Sequence, residues 1–285
     1  MNMKFEKIRV DHCVPFCENP FKVRDDFAME LLVQSISDYG VMFPILVRPL
    51  ANGTYETVSG HRRIHACKKA GVEMIPAFIR PMDREEAVIC MVDSNLQREG
   101  LLPSEKAFAY KMKVDALAHQ GKTSVRVGQK SSRGLVAADV GESETQIQRY
   151  IRLTYLIKPL LDLVDEGRIA LSPAVELSYL SKDEQRDLFD TIESEDCTPS
   201  LAQAQQMRKL SEKGQLDMDA IFEMMTKPKA NQQEKLMLPY QKLPVDKIRR
   251  YAGTEPTPKV VEDFLLKAVE HYCRYLQRQR DRDAR

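Results

Sequence analysis

Five consecutive residues, Ser59-Gly60-His61-Arg62-Arg63, have the types and order of an anion-binding turn. A glycine lets the backbone approach a ligand closely. Two guanidiniums offer charge-assisted donors that suit phosphate oxygens. A helical pattern starts here and puts His61, Arg62 and Arg63 in its first turn, where free N–H groups already favour an anion. Basic residues in that turn work against the helix unless a polyanion sits on them. The arrangement therefore points to a polyphosphate. Ser59 is the expected N-cap of this helix.

The elements that must hold this turn are legible around it. Thr54 to Val58 is a β-rich run, entered through the hairpin signal Asn52-Gly53. Pro44 to Pro49 reads as a strand with proline at each end, Met74 to Ile79 as another, and Lys7 to Val10 as a first. Between them a helix is expected from about Asp26 to Tyr39, with Met29, Leu32, Val33 and Ile36 at i, i+3, i+4, i+7 and Gly40 as its stop. A second runs from Asp83 to Leu96, with Ala87, Cys90 and Met91 on one face. The pattern is a small α+β domain over residues 1–98.

From Pro103 onward the pattern is helical, and residues 99–210 read as a helical domain. A long helix covers Glu105 to His119. Lys122, Arg126, Lys130 and Arg133 follow, in a stretch with no acid between Asp115 and Asp139. Residues of about 134–155 then carry helix-turn-helix spacing: Ala137 is small where two helices touch, Gly141 permits the turn, and Ile147 anchors the second helix. Thr145, Gln146, Gln148 and Arg149 fall on its outer face, with amides and a guanidinium suited to adenine and guanine edges. Residues 211–240 are polar and read as a linker. Residues 241–285 hold an amphipathic helix with Val261, Leu265, Ala268 and Tyr272 on one stripe, which needs a partner surface. The arginine-rich end, from Arg274 to Arg285, is either a solvated tail or a DNA contact.

Over 285 residues, 43 Lys and Arg balance 42 Asp and Glu, so nucleic-acid binding has to come from a local patch rather than from overall charge. No apolar run reaches membrane-spanning length, and the first residues lack the apolar core of a signal peptide; a cytoplasmic protein without a membrane partner is expected. The six cysteines are scattered and complete no zinc site, which predicts reduced thiols, with Cys67 and Cys90 in the core.

Several motifs occur in one order: Glu18-Asn-Pro-Phe-Lys-Val-Arg24, Ile45-Leu-Val-Arg-Pro49, Ser59-Gly-His-Arg-Arg63, Asp93-Ser-Asn-Leu-Gln-Arg-Glu99, Pro103-Ser-Glu105 and the helix-turn-helix. Over roughly residues 5–180 the chain resembles the ParB family of plasmid and chromosome partition proteins, including relatives on mobile elements. The resemblance implies a ParB/sulfiredoxin-like α+β domain that binds CTP, followed by an all-α domain that binds a centromere-like site on double-stranded DNA. It further implies a sliding homodimeric clamp on the bacterial nucleoid, with a ParA-type ATPase as partner. On this chain it assigns the nucleotide to Lys22, Arg24, Gly60, His61, Arg62, Arg63 and Asn95, with Asn95 helping to hold Mg2+. The family's Gly-Glu-Arg-Arg is Gly60-His-Arg-Arg here, its Glu-Asn pair is Ser94-Asn95, its Gln-Pro is Lys22-Val23, and Phe43 stands where glutamine is frequent. With those carboxylates missing, the resemblance implies binding of CTP with slow hydrolysis or none.

Two other classes compete. A helix-turn-helix regulator of transcription or replication, without a working nucleotide switch, shares the same second domain. A nuclease or kinase would need a carboxylate cluster or a Cys-His pair, and the chain has neither. Sulfiredoxin, which shares the N-terminal fold, needs a cysteine where Gly60 stands.

Overall fold

The computed structural model describes residues 3–98, 100–121, 131–226, 267–269, 271, 272 and 274. The chain divides into two compact units, Met1–Pro228 and Lys229–Arg285.

In the first unit, β1 (Lys4–Arg9), β2 (Cys13–Val14), β3 (Ile45–Pro49), β4 (Tyr55–Ser59) and β5 (Met74–Ile79) form one mixed sheet in the order β1-β5-β3-β4-β2. The pleat sends alternate side chains to opposite faces. Ile45 and Val47 of β3 point into a core with Met29 and Ile36 of α1 (Phe27–Tyr39) and Ile64, Ala66 and Cys67 of α2 (His61–Ala70). Leu46 of β3 and Val58 of β4 lie in a core on the other face, with Ala87, Val88 and Met91 of α3 (Arg84–Leu96). Asp26 caps α1 by accepting the Met29 N–H at 2.8 Å, and Asp83 caps α3 by accepting the Glu86 N–H at 2.7 Å. Cys67 is buried as expected, whereas Cys90 is half-exposed.

The helical part begins with α4 (Pro103–Gly121) and continues through α5 (Ser132–Val140), α6 (Glu144–Leu153), α7 (Lys158–Asp165), α8 (Leu171–Leu177), α9 (Lys182–Glu195), α10 (Leu201–Ser211) and α11 (Met218–Thr226). It does not part from the sheet at residue 98. Ala109 and Ala116 of α4 share a core with Phe16, Phe21 and Met91. Tyr110 of the same helix enters the core of α5 and α6, and Ala107 enters that of α7 to α11. One buried cation ties this junction together: the Lys113 ammonium, 5% exposed, sits between Asp93 of α3 and Asp139 of α5.

Residues 211–240 do not all behave as a linker. Met218–Thr226 is helical, because Asp217 accepts the Ala220 N–H at 2.8 Å and Ile221, Met224 and Met225 bury one apolar face. Gln203 of α10 donates to the Met224 carbonyl at 2.6 Å.

In the second unit the described residues from Lys267 to Arg274 are helical and exposed, with Tyr272 60% accessible. Val261 and Leu265 of the expected stripe, and the arginines beyond Arg274, lie outside the described residues.

Candidate functional site

Helix α2 starts without a side-chain cap. Ser59 is not the N-cap, because it is still paired with Leu46 in the β3–β4 ladder. The cap position falls to Gly60, at φ 105° and ψ 21°. A Cβ there would stand 2.5 Å from Cγ2 of Ile45, so only glycine fits this corner. The first N–H groups of α2 therefore open into a cleft between the 19–23 loop, the start of α2 and the end of α3.

The cleft gathers Lys22, Gly60, His61, Arg62, Arg63 and Asn95, six of the seven residues assigned to nucleotide. Arg24 is exposed and is not part of the lining, since after Val23 the chain turns away to place Asp26 at the start of α1. Arg98, which the sequence reading did not single out, is part of it. Among the described residues no Asp or Glu lines the cleft, and its charged lining residues are basic, as a polyanion site requires.

The cations are not equivalent. Arg62 is half-buried and pairs with Asp26 at 3.1 Å. Arg63 is half-buried, and its guanidinium donates to the carbonyls of Phe43 at 2.5 Å and Pro44 at 2.6 Å. Burial also pulls its pKa down. The Lys22 ammonium lies 3.6 Å from the carboxylate of Asp165, and its backbone N–H donates to the buried Glu105 at 2.9 Å. Thus Arg63 braces the α1–β3 connection, while Lys22, Arg62 and Arg98 keep charge at the mouth.

His61 enters the cleft as a neutral ring. Burial pushes its pKa down to about 4, against the nearby Glu56 carboxylate, which favours the charged form. Its Nε2 accepts the Phe16 N–H at 3.4 Å, and a backbone hydrogen bond joins it to Thr57. Beneath it Glu56 is buried and accepts from Arg48 Nε at 2.5 Å and from the Cys17 N–H at 3.1 Å. The histidine therefore clamps the 16–23 loop to β4 and adds no charge at neutral pH.

The donor set expected for Mg2+ does not fit. Asn95 has one atom able to ligate a metal, Oδ1, and it accepts from Arg98 at 3.2 Å. Its Nδ2 donates to the Met91 carbonyl at 2.8 Å, and so does Ser94 Oγ at 2.9 Å. Asp93, the adjacent carboxylate, is turned to Lys113. Among the described residues no cluster of three His, Cys, Asp or Glu side chains is arranged to hold a metal.

The helix-turn-helix forms at α5 and α6. Ser131 caps α5 by accepting the Gly134 N–H at 3.0 Å, and Ser143 caps α6 by accepting the Gln146 N–H at 3.1 Å. Gly141 ends α5 at φ 71°, and Ala137 and Ile147 are buried between the helices as their spacing implies. Thr145 is exposed, while Gln146, Gln148 and Arg149 are half-exposed. Arg133 donates to Gln148 Oε1 at 2.9 Å. Arg149 donates to Gln146 at 3.2 Å and to Ser172 of α8 at 2.6 Å, a long-range tether that helical periodicity does not reveal. Lys122, Arg126 and Lys130 lie outside the described residues. At the end of α6, Arg152 stacks on the rings of Tyr155 and Tyr179, with its guanidinium carbon 4.5 and 3.8 Å from their centroids, and fixes the helix against α8.

Fold and cleft together define a class: an α+β domain with a basic cleft at an uncapped helix start, joined through α4 to a helix-turn-helix. Residues 2–96 match the ParB N-terminal domain. The probable chromosome 1-partitioning protein ParB of Deinococcus radiodurans is 33% identical over 169 residues, which are 59% of this chain and 54% of that protein. A nucleoid occlusion protein of Listeria monocytogenes is 30% identical over 183 residues, 64% of this chain and 60% of that one. The chain thus spans little more than half the length of the curated relatives it matches. The crystal structure of the C-terminally truncated chromosome-partitioning protein ParB from Caulobacter crescentus complexed with CTP-gamma-S covers 66% of this chain and 98% of its own, at 22% identity and a TM-score of 0.32. A likeness that loose bears on no residue of the cleft. Among the described residues, no helix is long and apolar enough to cross a membrane.

Proposed function

We propose that this chain is a DNA-binding partition protein that acts as a CTP-gated clamp. The observation that carries the reading is the convergence of Lys22, Arg62 and Arg98 on the uncapped start of α2, in a lining whose described residues include no carboxylate. The triphosphate lies against the free N–H groups of α2. Arg62 exchanges the exposed Asp26 for phosphate oxygens, which are stronger partners for a guanidinium. Gly60 allows the close approach, and Asn95 borders the phosphates from α3.

The helix-turn-helix docks on a centromere-like double-stranded site. Thr145, Gln146 and Arg149 reach base edges, while Gln148 and Arg133, held to each other, steady α6 against α5. Lys122, Arg126 and Lys130 add contacts to phosphate that depend on salt and not on sequence. Two copies form the clamp through the 241–285 segment, and a ParA-type ATPase is the partner. Sedimentation of a chain ending at Pro239 checks the dimer: it should associate more weakly than the full chain.

The test is calorimetry of the full chain with CTP, UTP, ATP and GTP, paired with genome-wide mapping of bound DNA. Selective CTP binding together with spreading from a focal site supports the reading; point-like occupancy without nucleotide binding defeats it. A plain helix-turn-helix regulator is the second reading. It is favoured by Arg63 and His61, which lie in the first turn yet offer no free charge to a ligand. If it holds, CTP leaves the melting temperature unchanged, because only a ligand that binds the folded state raises it.

A further inference from the structure

We propose that the cleft takes the triphosphate of its nucleotide without a divalent metal, and that the Arg98 guanidinium stands where the ion would otherwise act. The inference rests on the nucleotide reading above and concerns how that site neutralises charge.

Magnesium at a nucleotide site is ordinarily held by one or two carboxylates together with the phosphates. Among the described residues this cleft has no carboxylate in its lining. Four acids that neighbour its lining residues are already paired. Asp93 is on Lys113, Asp26 on Arg62, Glu18 on Arg84, and Asp165 on Ser104 and Lys22. The neutral oxygen left for a metal, Oδ1 of Asn95, is occupied by Arg98 at 3.2 Å.

Arg98 is fixed in that place by the chain itself. It follows the last turn of α3, and its N–H donates to the Asn95 carbonyl at 3.0 Å while its guanidinium reaches the Asn95 side chain. A cation just past a helix C-terminus is also favoured by the helix dipole. Its side-chain partner among the described residues is an uncharged amide, which leaves charge for a phosphate, and its planar fork can hold two oxygens at once. A metal entering beside Asn95 would have to displace this guanidinium and then sit next to it, a like-charge encounter that no described carboxylate of the lining offsets.

The experiment is calorimetric titration of the full chain with CTP in EDTA and again in MgCl2, for the natural sequence, R98Q and S94E. We expect CTP affinity in the two media to agree within about threefold for the natural sequence, since no described carboxylate lines the cleft to recruit the ion. R98Q should weaken CTP about tenfold or more in EDTA, the loss expected for a charge-assisted contact. S94E, which places a carboxylate beside Asn95, should bind tighter with Mg2+ than without it. Binding that requires Mg2+ in the natural sequence, or R98Q binding as tightly as the natural sequence in EDTA, overturns the inference and leaves the nucleotide reading standing. Absence of CTP binding in both media ends the nucleotide reading and this inference with it.

Discussion

Helices α2 and α6 begin in opposite ways. Helix α6 is closed by Ser143, whose hydroxyl takes the N–H that would otherwise be exposed, and α5 is closed by Ser131 in the same manner. Helix α2 has a glycine in that position and no cap at all. An uncapped start is unfavourable by itself, because several backbone donors go unsatisfied. It is retained where an anion completes it. The capped start serves the other purpose: it holds a helix still so that its flank presents Thr145, Gln146 and Arg149 in fixed order. In the proposed function one segment type serves as a receptor in one place and a rigid display in the other, and the choice turns on a single residue at the cap.

Changing the caps tests that contrast most severely at Gly60. In G60A the new methyl meets Ile45 and the residue is held at φ 105°, so a loss of roughly 3 kcal/mol in urea unfolding is expected. G141A, at φ 71° with open space around it, should cost only about 1–2 kcal/mol. Equal losses would mean that the corner at α2 is no tighter than an ordinary helix end.

Acid should discriminate nearly as well. His61 is neutral in the folded chain down to about pH 4, against an ordinary value of 6.5. The unfolded chain therefore binds the extra proton first as pH falls. Stability should be complete above about pH 6.5 and decline toward pH 4, by up to roughly 3 kcal/mol from this group. H61Q should flatten that slope in melting temperature against pH, and an unchanged slope would assign the acid sensitivity to other groups.

On DNA, R149A should lose about 1–3 kcal/mol of discrimination between its site and random sequence if the side chain leaves Ser172 to read a base. Equal weakening on both DNAs would make Arg149 a strut between α6 and α8. The smallest effect separates the two serines beside the helix starts. S143A should cost about 1 kcal/mol of stability through loss of the cap, whereas S59A, which removes no cap, should leave stability nearly unchanged. A comparable loss in S59A would restore Ser59 to a capping role.

Local rules carried much of this fold into the sequence. Asp26 and Gly40 bracket α1 because a carboxylate cap and a glycine stop act within one turn of the residues they serve. Ala137, Gly141 and Ile147 mark the helix-turn-helix for the same reason. Arg98 stands three residues after Asn95 at a helix end, within reach of local reading, yet only the fold brings it into one cleft with Lys22 and Arg62. Helix α11 was hidden by its polar surroundings, although Ile221, Met224 and Met225 repeat at i, i+3, i+4. Other features were beyond local reading. The neutrality of His61 depends on its burial by the fold, and the diversion of Arg63 depends on Phe43 and Pro44, distant in the chain. Which cation keeps its charge at the cleft is set by those contacts.

The long helix α4 carries a last implication, for how the molecule comes apart. Its side chains enter three cores: Ala109 and Ala116 under the sheet, Tyr110 beneath α5 and α6, and Ala107 against the later helices. A helix shared in that way cannot melt on one side and survive on the other. The sheet and the helix-turn-helix are accordingly not separable modules strung on a hinge. Cutting the chain near residue 98 would strip the cover from Phe16, Phe21 and Met91 and leave a sticky remnant in place of a working half. The backbone amides in the middle of α4 should be the slowest in the protein to exchange with deuterium, released only when the whole unit opens at once.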